Sequence, residues 1–219
     1  MTTPAPIRQR RKEARPAELL AAALEVFADK GFAAARMDDI AQRAGVSKGT
    51  VFLYYESKQA LFRAVVEDAV VPHIVSGEAL VEASSEEDPA VLLRNLLLRY
   101  WNVLADPRLE GLPRLIMAEA GNFPELASFY HENVIVRART LFINVLEHGI
   151  QTGVFRPCDP AVMCRLAVAP LMFDCMWRRL LPPSDPLRVV PDTYVQTHLD
   201  MFLSNLLASP LGERNDDEK

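Results

Sequence analysis

Residues 37–58 have the sequence MDDIAQRAGVSKGTVFLYYESK, and this stretch decides the fold of the chain. Its pattern is that of two short helices joined by a tight turn, because residues 38–44 have helical spacing and Gly45 supplies the left-handed residue that such a turn needs. Three apolar residues are spaced to pack across the turn: Ile40, Val46 and Val51. The stretch therefore predicts a helix-turn-helix unit that binds double-stranded DNA.

The second helix of this unit is predicted to begin at Lys48, because the hydroxyl group of Ser47 can accept a hydrogen bond from a backbone N–H two or three residues later. Val51 and Tyr55 then lie on the inner, packed face of that helix. The outer face, which is free to enter a groove of DNA, carries Lys48, Gly49 and Phe52.

Several residues in and after this helix are suited to contact DNA. Lys48 offers a cationic donor at the start of the helix, Gly49 lets the backbone approach the duplex, and Thr50 offers a hydroxyl group to a phosphate oxygen. Ser57 is predicted to cap the next helix, and Lys58 beside it is predicted to contact a phosphate. This set is the candidate DNA-binding site.

The same stretch resembles the DNA-binding domain of the TetR (tetracycline-repressor) family of bacterial transcription regulators. The residues that carry the resemblance are residues 40–41, the run AGVSKGTVFLYY at residues 44–55, and residues 57–58 and 61–62. It covers roughly residues 15–63 and implies an all-α fold, in which a three-helix helix-turn-helix domain precedes a helical ligand-binding and dimerisation domain. Beyond residue 63 only the length and the helical character of the chain agree with the family.

The resemblance also implies roles for single positions. In that family the residue matching Lys48 meets base edges or phosphates, and those matching Gly49 and Phe52 lie against bases. The positions that bind phosphates there correspond to Thr50, Tyr54 and Lys58 in this chain.

Two residues depart from the family pattern. Phe52 stands where tyrosine is usual, so its contact with a base is expected to be apolar, for instance with a thymine methyl group. Arg36 stands where a threonine or serine cap is usual, so a helix cap is lost and a phosphate contact becomes available.

The charge of the chain is divided unevenly between its two parts. The whole chain carries a net charge of −5. Residues 1–63 contain eleven Lys and Arg against seven Asp and Glu, so they carry +4 and the remainder carries −9. A basic module beside an acidic one agrees with a protein that binds DNA through its N-terminal part.

Residues 64–208 are predicted to form the helical ligand-binding and dimerisation domain, since they contain no alternating strand pattern. A helix after Ser57 is expected to be interrupted by Pro72, which lacks a backbone donor. The other predicted helices cover about residues 16–30, with Gly31 as C-cap, and residues 89–104, 112–119, 124–149, 160–181 and 192–208.

The last two predicted helices point to a homodimer. Residues 160–181 are apolar nearly all round, and residues 192–208 carry a second apolar stripe. That stripe consists of Val195, Leu199, Phe202 and Leu206. We expect both helices to pair with those of a second copy as a four-helix bundle, which places two DNA readers on a palindromic operator.

A soft and aromatic set of side chains is the candidate effector pocket, because methionine and cysteine fill irregular space and rearrange readily. The set consists of Leu97, Tyr100, Trp101, Met117, Phe142, Met172, Cys175 and Met176, together with Asp174. The alternative is that its apolar members are ordinary core residues. Asp174 lies in an apolar stretch and needs a partner such as an arginine or a polar ligand group. We therefore expect an apolar or aromatic effector whose polar or cationic end meets Asp174, and whose binding moves the helix that starts at Ser57.

Other features limit the classes of function. Cys158, Cys164 and Cys175 have neither zinc-site nor disulfide spacing, and the histidines are scattered, so we expect no metal, no cofactor and no catalytic residue. Residues 1–14 are interpreted as a flexible basic arm that either stays in solvent or enters a minor groove, and residues 209–219 as a disordered charged tail. Neither a secretory signal nor an apolar run long enough to cross a bilayer is found, so we expect a cytoplasmic protein.

These observations predict a ligand-responsive transcriptional regulator. Repression is the family default, and the same residues would serve an activator. The alternative is a helical enzyme or lipid-binding protein whose helix-turn-helix motif is incidental. That alternative predicts no preference for any DNA sequence.

Overall fold

The computed structural model describes residues 7–84, 86–178 and 180–208, with side chains described from Pro16 onward. These residues form α-helices and one π-helix, and they contain no strand beyond an isolated bridge between Phe155 and Leu207. The α-helices are α1 Ile7–Ala34, α2 Met37–Arg43, α3 Lys48–Tyr54, α4 Lys58–Ala69, α5 Val71–Ala83, α6 Pro89–Ala105, α7 Gly111–Glu119, α8 Pro124–Tyr130, α9 Arg137–Gln151, α10 Pro160–Trp177 and α11 Pro191–Leu206. The π-helix His131–Val136 joins α8 to α9.

The chain divides into two compact units. The first unit consists of Met1–Ser76 and Asn102–Ala138, and the second of Gly77–Trp101 and Arg139–Lys219. Helices α7 and α8 thus belong to the same unit as α1 to α4. That unit is larger than the helix-turn-helix domain expected at residues 15–63.

An aromatic cluster forms the centre of the first unit. Phe27, Phe32 and Phe62 lie with their ring centroids 5.5–5.8 Å apart, and all three are almost fully buried. The ring of Phe123, next to the start of α8, lies 4.8 Å from that of Phe32 with an edge-to-face orientation. Aromatic pairs in such orientations add stabilisation beyond the burial of their area, so the cluster fixes α1, α4 and α8 together.

Helix α7 packs closely against α1 within the same unit. A Cβ atom at Gly111 would lie 2.8 Å from the Cβ of Ala28, so the two helices approach at a position that only glycine allows without a shift. Helix α1 is kinked at Gly31, whose φ of 77° lies in the left-handed region. Just after it, the carboxylate of Glu119 accepts a hydrogen bond from the backbone N–H of Ala33 at 2.9 Å.

The second unit has an aliphatic core. Side chains with no exposed surface come from each of its main helices: Leu93, Leu97, Leu146, Leu171 and Leu199. Helix α11 is also held to α10 by two polar contacts. The hydroxyl of Tyr194 donates to the carbonyl oxygen of Pro170 at 3.1 Å, and Nε2 of His198 lies 2.8 Å from the carbonyl oxygen of Ala167.

Several helix boundaries differ from those expected. Helix α1 begins at Ile7, so residues 7–14 of the expected arm are helical; the rest of the arm, residues 1–6, and the expected tail, residues 209–219, lie outside the described residues. The helix expected at residues 124–149 is divided into α8, the π-helix and α9. The break expected at Pro72 is confirmed, since α4 ends at Ala69 and α5 begins at Val71.

Most of the apolar stripe expected on the last helix is buried, and Phe202 is its partly exposed member. Val195, Leu199 and Leu206 are at most 2% exposed because they pack inside their own unit. The apolar stripe of α11 therefore does not by itself require a second copy of the chain. Helix α10 differs, since it keeps a row of exposed apolar side chains along its length: Val162, Leu166, Phe173 and Trp177.

Helix α10 is also the part of the described chain that is long and apolar enough to cross a membrane by length and composition alone. This differs from the expectation that no apolar run is long enough to cross a bilayer. A helix that is covered on several faces in a helical assembly has the same composition, so this observation is weak evidence for a membrane segment.

Candidate DNA interface and effector region

The turn between α2 and α3 has the geometry expected from the sequence. Gly45 has φ of 66°, and the backbone N–H of Val46 donates to the carbonyl oxygen of Ala41 at 2.9 Å. Ile40 and Val51 have no exposed surface and lie on the packed faces of the two helices. Val46, the third residue expected in this small core, is partly exposed, so Ile40 and Val51 are the members that fix the direction of α3.

Helix α3 is capped by Ser47, as expected. The hydroxyl oxygen of Ser47 accepts a hydrogen bond from the backbone N–H of Thr50 at 3.2 Å, and it lies 2.9 Å from the hydroxyl oxygen of Thr50. When Ser47 donates in this second contact, the hydroxyl hydrogen of Thr50 is available to a phosphate oxygen. The structure thus leaves Thr50 able to act as the phosphate donor that the sequence predicted.

Lys48 is engaged in an ion pair on the surface. Its Nζ lies 2.9 Å from Oδ2 of Asp38, and both side chains are more than half exposed. Exposed pairs of this kind are weak, because water screens the charges and two long side chains must be held in one arrangement. A phosphate group can therefore displace Asp38 from Lys48 at little expense.

Lys58 has a role that the sequence analysis missed. Its ammonium group donates to the carbonyl oxygens of Phe32 at 2.5 Å, Ala33 at 3.1 Å and Ala35 at 2.9 Å, and it lies 4.5 Å from the ring centroid of Phe32. All three ammonium hydrogens are used, and burial lowers the pKa of Lys58. In this structure the ammonium group of Lys58 caps the end of α1, and the phosphate contact predicted for Lys58 stays a prediction.

Arg36 stands at the N-cap of α2 and makes no side-chain cap. The cap is supplied instead by Asp39, whose Oδ2 accepts the backbone N–H of Arg36 at 3.0 Å, while Oδ1 lies 2.8 Å from Nζ of Lys30. The hydrogen bond from Lys30, followed by the one from Arg36, lowers the pKa of Asp39. The expected loss of a cap by Arg36 is confirmed, and its exposed side chain is left available for another contact.

The outer surface of α3 is partly apolar. With about 100° between successive residues of a helix, Gly49 and Leu53 point away from the buried Val51, and Phe52 lies beside them. Phe52 is 43% exposed and Leu53 is 76% exposed. Tyr54 lies at the side of this surface and is partly exposed. Leu53 was not among the expected site residues, although its position four residues after Gly49 places it on the same face.

The candidate effector residues divide between the two units. Met117 belongs to the first unit and is 62% exposed, so its place in an enclosed pocket with the others is not supported. In the second unit four members of the set are buried: Leu97, Trp101, Phe142 and Cys175. Tyr100 contacts Phe142 edge to face, with ring centroids 6.0 Å apart. Met172 and Met176 are partly exposed on α10.

Asp174 already has a cationic partner within its own helix. Its Oδ2 lies 2.9 Å from Nε of Arg178, although the N–H of that group does not point at the oxygen, so the contact is an ion pair without a well-formed hydrogen bond. The guanidinium of Arg178 lies 5.0 Å from the ring centroid of Trp101. Burial raises the pKa of Asp174 and Arg178 opposes that effect. Of the two partners expected for Asp174, an arginine or a polar group of a ligand, the structure shows the arginine, Arg178.

Among the residues that the structure describes, no group of three or more His, Cys, Asp or Glu side chains could hold a metal ion. Cys164 and Cys175 are buried, Cys158 is partly exposed, and none of these three described cysteines forms a disulfide. Burial raises the pKa of Cys164, which disfavours a reactive thiolate.

Two protein-family models match the chain. Residues 19–65 match the model described as bacterial regulatory proteins, tetR family. Residues 91–205, more than half of the chain, match the model described as the C-terminal domain of AefR-like transcriptional repressors.

Individual proteins agree with these matches. The HTH-type transcriptional activator FasR of Mycolicibacterium smegmatis is 47% identical over 66 residues, which span 30% of each chain. The HTH-type transcriptional regulator TtgR of Pseudomonas putida is 31% identical over 206 residues, which cover 90% of this chain and 96% of TtgR. A TetR-family regulator from Mesorhizobium loti has the same fold, with a TM-score of 0.66 and 24% identity over 90% of this chain and 99% of that one.

Proposed function

The chain belongs to the TetR family of bacterial transcriptional regulators, and from that premise we propose that it is a homodimeric repressor, released from a palindromic operator by a small apolar or aromatic effector. The observation that carries the DNA-binding part is the outer surface of α3. Its Gly49, Phe52 and Leu53 face away from the packed Val51, with Lys48 at the start of the helix. Such a surface fits the major groove, whose base edges offer both polar and apolar groups.

The exposed row on α10 supports the proposal of a homodimer. Val162, Leu166, Phe173 and Trp177 recur at intervals of four, seven and four residues, so they lie along one side of the helix. Each is at least 36% exposed, and the rings of Phe173 and Trp177 stack with centroids 5.1 Å apart. Pairing of this row with its copy across a two-fold axis would cover it and present two α3 helices to two half-sites.

The second unit is the proposed effector-binding unit. Tyr100, Trp101 and Phe142 supply aromatic surface there, and the partly exposed Met172 and Met176 are flexible enough to make room for a ligand. Since Arg178 already pairs with Asp174, a cationic end on the effector is not required. A polar group of the effector would instead meet the pair of Asp174 and Arg178 beside Trp101.

We propose that the effector acts by shifting the population of two conformations of the dimer, which requires that it bind one of them better. The conformation that it favours would have moved α4, so that the two α3 helices no longer match the spacing of the half-sites. Within the first unit, Lys58 and Phe62 of α4 contact the end of α1, so a movement of α4 would be transmitted to the DNA reader. We place the protein in the cytoplasm, where its operator lies.

Activation is the second candidate. The match to FasR, which is named an activator, is confined to 66 residues, whereas the longer match is to the C-terminal domain of AefR-like repressors. A reporter gene behind the operator separates the two. Expression that falls when the protein is supplied supports repression, and expression that rises supports activation.

The experiment that tests the proposal starts with selection of bound duplexes from a random DNA library. We expect a palindromic sequence to be enriched, and a panel of lipophilic compounds should release the protein from it. Trp101→Phe and Asp174→Asn should change which compounds act or how much of each is needed, while DNA binding without effector is retained. If no duplex is enriched, the proposed function is wrong; if both variants respond as the native protein does, the effector site lies elsewhere.

A further inference from the structure

Leu53 exposes a larger fraction of its surface, 76%, than any other large apolar side chain in the described part of the chain. It lies two residues after Val51, which is fully buried, and is therefore about 200° further round α3. Its position is thus almost opposite the face by which α3 packs. An isolated exposed leucine is ordinary on a protein surface, so exposure alone does not assign a function.

The neighbours of Leu53 give its exposure a meaning. One turn earlier on the same side is Gly49, where an added Cβ atom would meet only the hydroxyl oxygen of Ser47 at 3.8 Å, and the φ of Gly49 is not positive. Neither packing nor backbone conformation therefore requires glycine at this position, although glycine is about 1 kcal/mol less favourable than alanine in a helix. The absence of a side chain at Gly49, beside the exposed Leu53, would instead allow another molecule to approach the helix backbone closely.

The chemistry of the major groove favours one group as the partner of a leucine there. Each base pair presents hydrogen-bond donors and acceptors at its edge, and thymine also presents a C5-methyl group. An aliphatic side chain cannot replace the water lost from a donor or acceptor, so its contact with a polar edge is unfavourable. A contact with the thymine methyl group instead buries apolar surface on both partners.

We propose that Leu53 is a specificity-determining residue of this protein, which reads the C5-methyl group of a thymine in each operator half-site. This inference rests on the proposed function, because it assumes that α3 enters the major groove. Phe52 lies about 100° from Leu53 round the helix, so the two side chains contact different base pairs. The half-site is therefore expected to carry a thymine for Leu53 that is separate from any thymine contacted by Phe52.

The test uses the duplex enriched from a random library and replaces its thymines one at a time by deoxyuridine, which lacks only the methyl group. Fluorescence anisotropy at fixed salt gives Kd for each duplex. For the native protein, Kd should rise about fourfold when the thymine read by Leu53 is replaced, the effect of losing one buried methyl group. Leu53→Ala should bind the thymine duplex more weakly and show no difference between thymine and deoxyuridine at that position.

Two controls accompany this measurement. Phe52→Ala should keep the discrimination at the thymine assigned to Leu53, and Leu180→Ala, which removes another leucine that is 74% exposed, should leave every Kd unchanged. Thermal unfolding should show that Leu53→Ala is as stable as the native protein, because most of the Leu53 side chain is exposed and little buried surface is lost.

The inference is overturned if the native protein binds thymine and deoxyuridine duplexes equally at every position. It is also overturned if Leu53→Ala retains the native discrimination. If an operator is enriched and either of these results is found, the role of Leu53 is refuted and the proposed function is not. Failure to enrich any operator would remove the proposed function as well.

Discussion

The ammonium group of Lys58, at the start of α4, donates a hydrogen bond of 2.5 Å to the carbonyl oxygen of Phe32, near the end of α1. The same ammonium group donates hydrogen bonds to two further carbonyl oxygens, those of Ala33 and Ala35. A lysine that faces DNA in the sequence-based interpretation is thus an internal cap that links α4 to α1. Loss of the Lys58 side chain should therefore lower the free energy of unfolding before it affects DNA binding.

Replacement of Lys58 by methionine is predicted to lower the free energy of unfolding by about 1–2 kcal/mol, since three carbonyl oxygens lose a charged donor at a partly buried site. Thermal or urea unfolding measures this. The slope of log K against log salt for DNA should stay the same. Lys48→Met is the matched control, for which we expect unchanged stability and a slope smaller by about one unit. Unchanged stability and a smaller salt slope for Lys58→Met would instead show that Lys58 contacts DNA.

Removal of the carboxylate of Asp38 is predicted to strengthen DNA binding. In Asp38→Asn, Lys48 loses its partner at 2.9 Å, and the repulsion between the carboxylate and the phosphates disappears. Kd should fall for all duplexes at low salt, and the effect should shrink as salt rises. Glu147→Gln makes the same change of charge on the exposed surface of α9 and should have little effect. If the two variants changed Kd equally, the cause would be the net charge of the protein and not the ion pair between Lys48 and Asp38.

Gly49→Ala is predicted to separate folding from DNA binding. The added methyl group meets only the hydroxyl oxygen of Ser47 at 3.8 Å, so stability should rise by about 0.5–1 kcal/mol or stay unchanged. Binding to the operator should weaken, because the methyl group keeps the helix away from the bases. Gly121→Ala, at another glycine with open space around it, is the control for binding. Undiminished operator binding by Gly49→Ala would show that the duplex does not approach this position closely.

Phe173→Glu is predicted to convert the dimer into a folded monomer. A charge placed in the exposed row of α10 would be buried without a partner in the proposed interface, whereas in the monomer it remains in water. Sedimentation at micromolar concentration measures the change, and circular dichroism checks the fold. Val91→Glu, at an exposed apolar position on α6, should remain dimeric. A Phe173→Glu protein that still sediments as a dimer would place the interface on other residues.

The stabilisation supplied by Asp39 is predicted to depend on pH. Its pKa lies below the ordinary value of 3.8 in the folded protein, because the ionised carboxylate accepts hydrogen bonds from Lys30 and from the backbone of Arg36. The contribution is therefore complete above about pH 5 and is lost as the pH falls through the lowered pKa. The difference in Tm between the native protein and Asp39→Asn should be largest near neutral pH and should shrink between pH 5 and pH 3. A difference for Asp39→Asn that stays constant over this pH range would refute the role of the charge.

Much of the DNA-reading unit could be predicted because its signals are local. The cap by Ser47, the left-handed Gly45 and the burial of Val51 each depend on residues within a few positions of one another. Lys58 could not be assigned in this way. Its partners lie 23–26 residues away, and nothing in the sequence shows that the end of α1 returns to the start of α4.

In the second unit, too, contacts between distant parts of the chain could not be predicted from the sequence. Apolar spacing correctly placed a helix near residues 192–208, but whether its stripe packs inside or outside the subunit depends on α10 and the other helices that surround it. Met117 was grouped with the effector residues by its chemistry alone, and the fold places it in the other unit. Leu53, by contrast, could have been found from the sequence by counting four residues from Gly49.

The central claim is that α3 reads a specific DNA sequence, and the direct measurement is the ratio of Kd values for the enriched duplex and a scrambled duplex of equal length and composition, at one physiological salt concentration. We predict that the native dimer binds the enriched duplex at least about 1,000-fold more tightly, which is the lower end of the range for specific regulators. Equal affinity for the two duplexes would contradict the claim and leave the helix-turn-helix without a reading function.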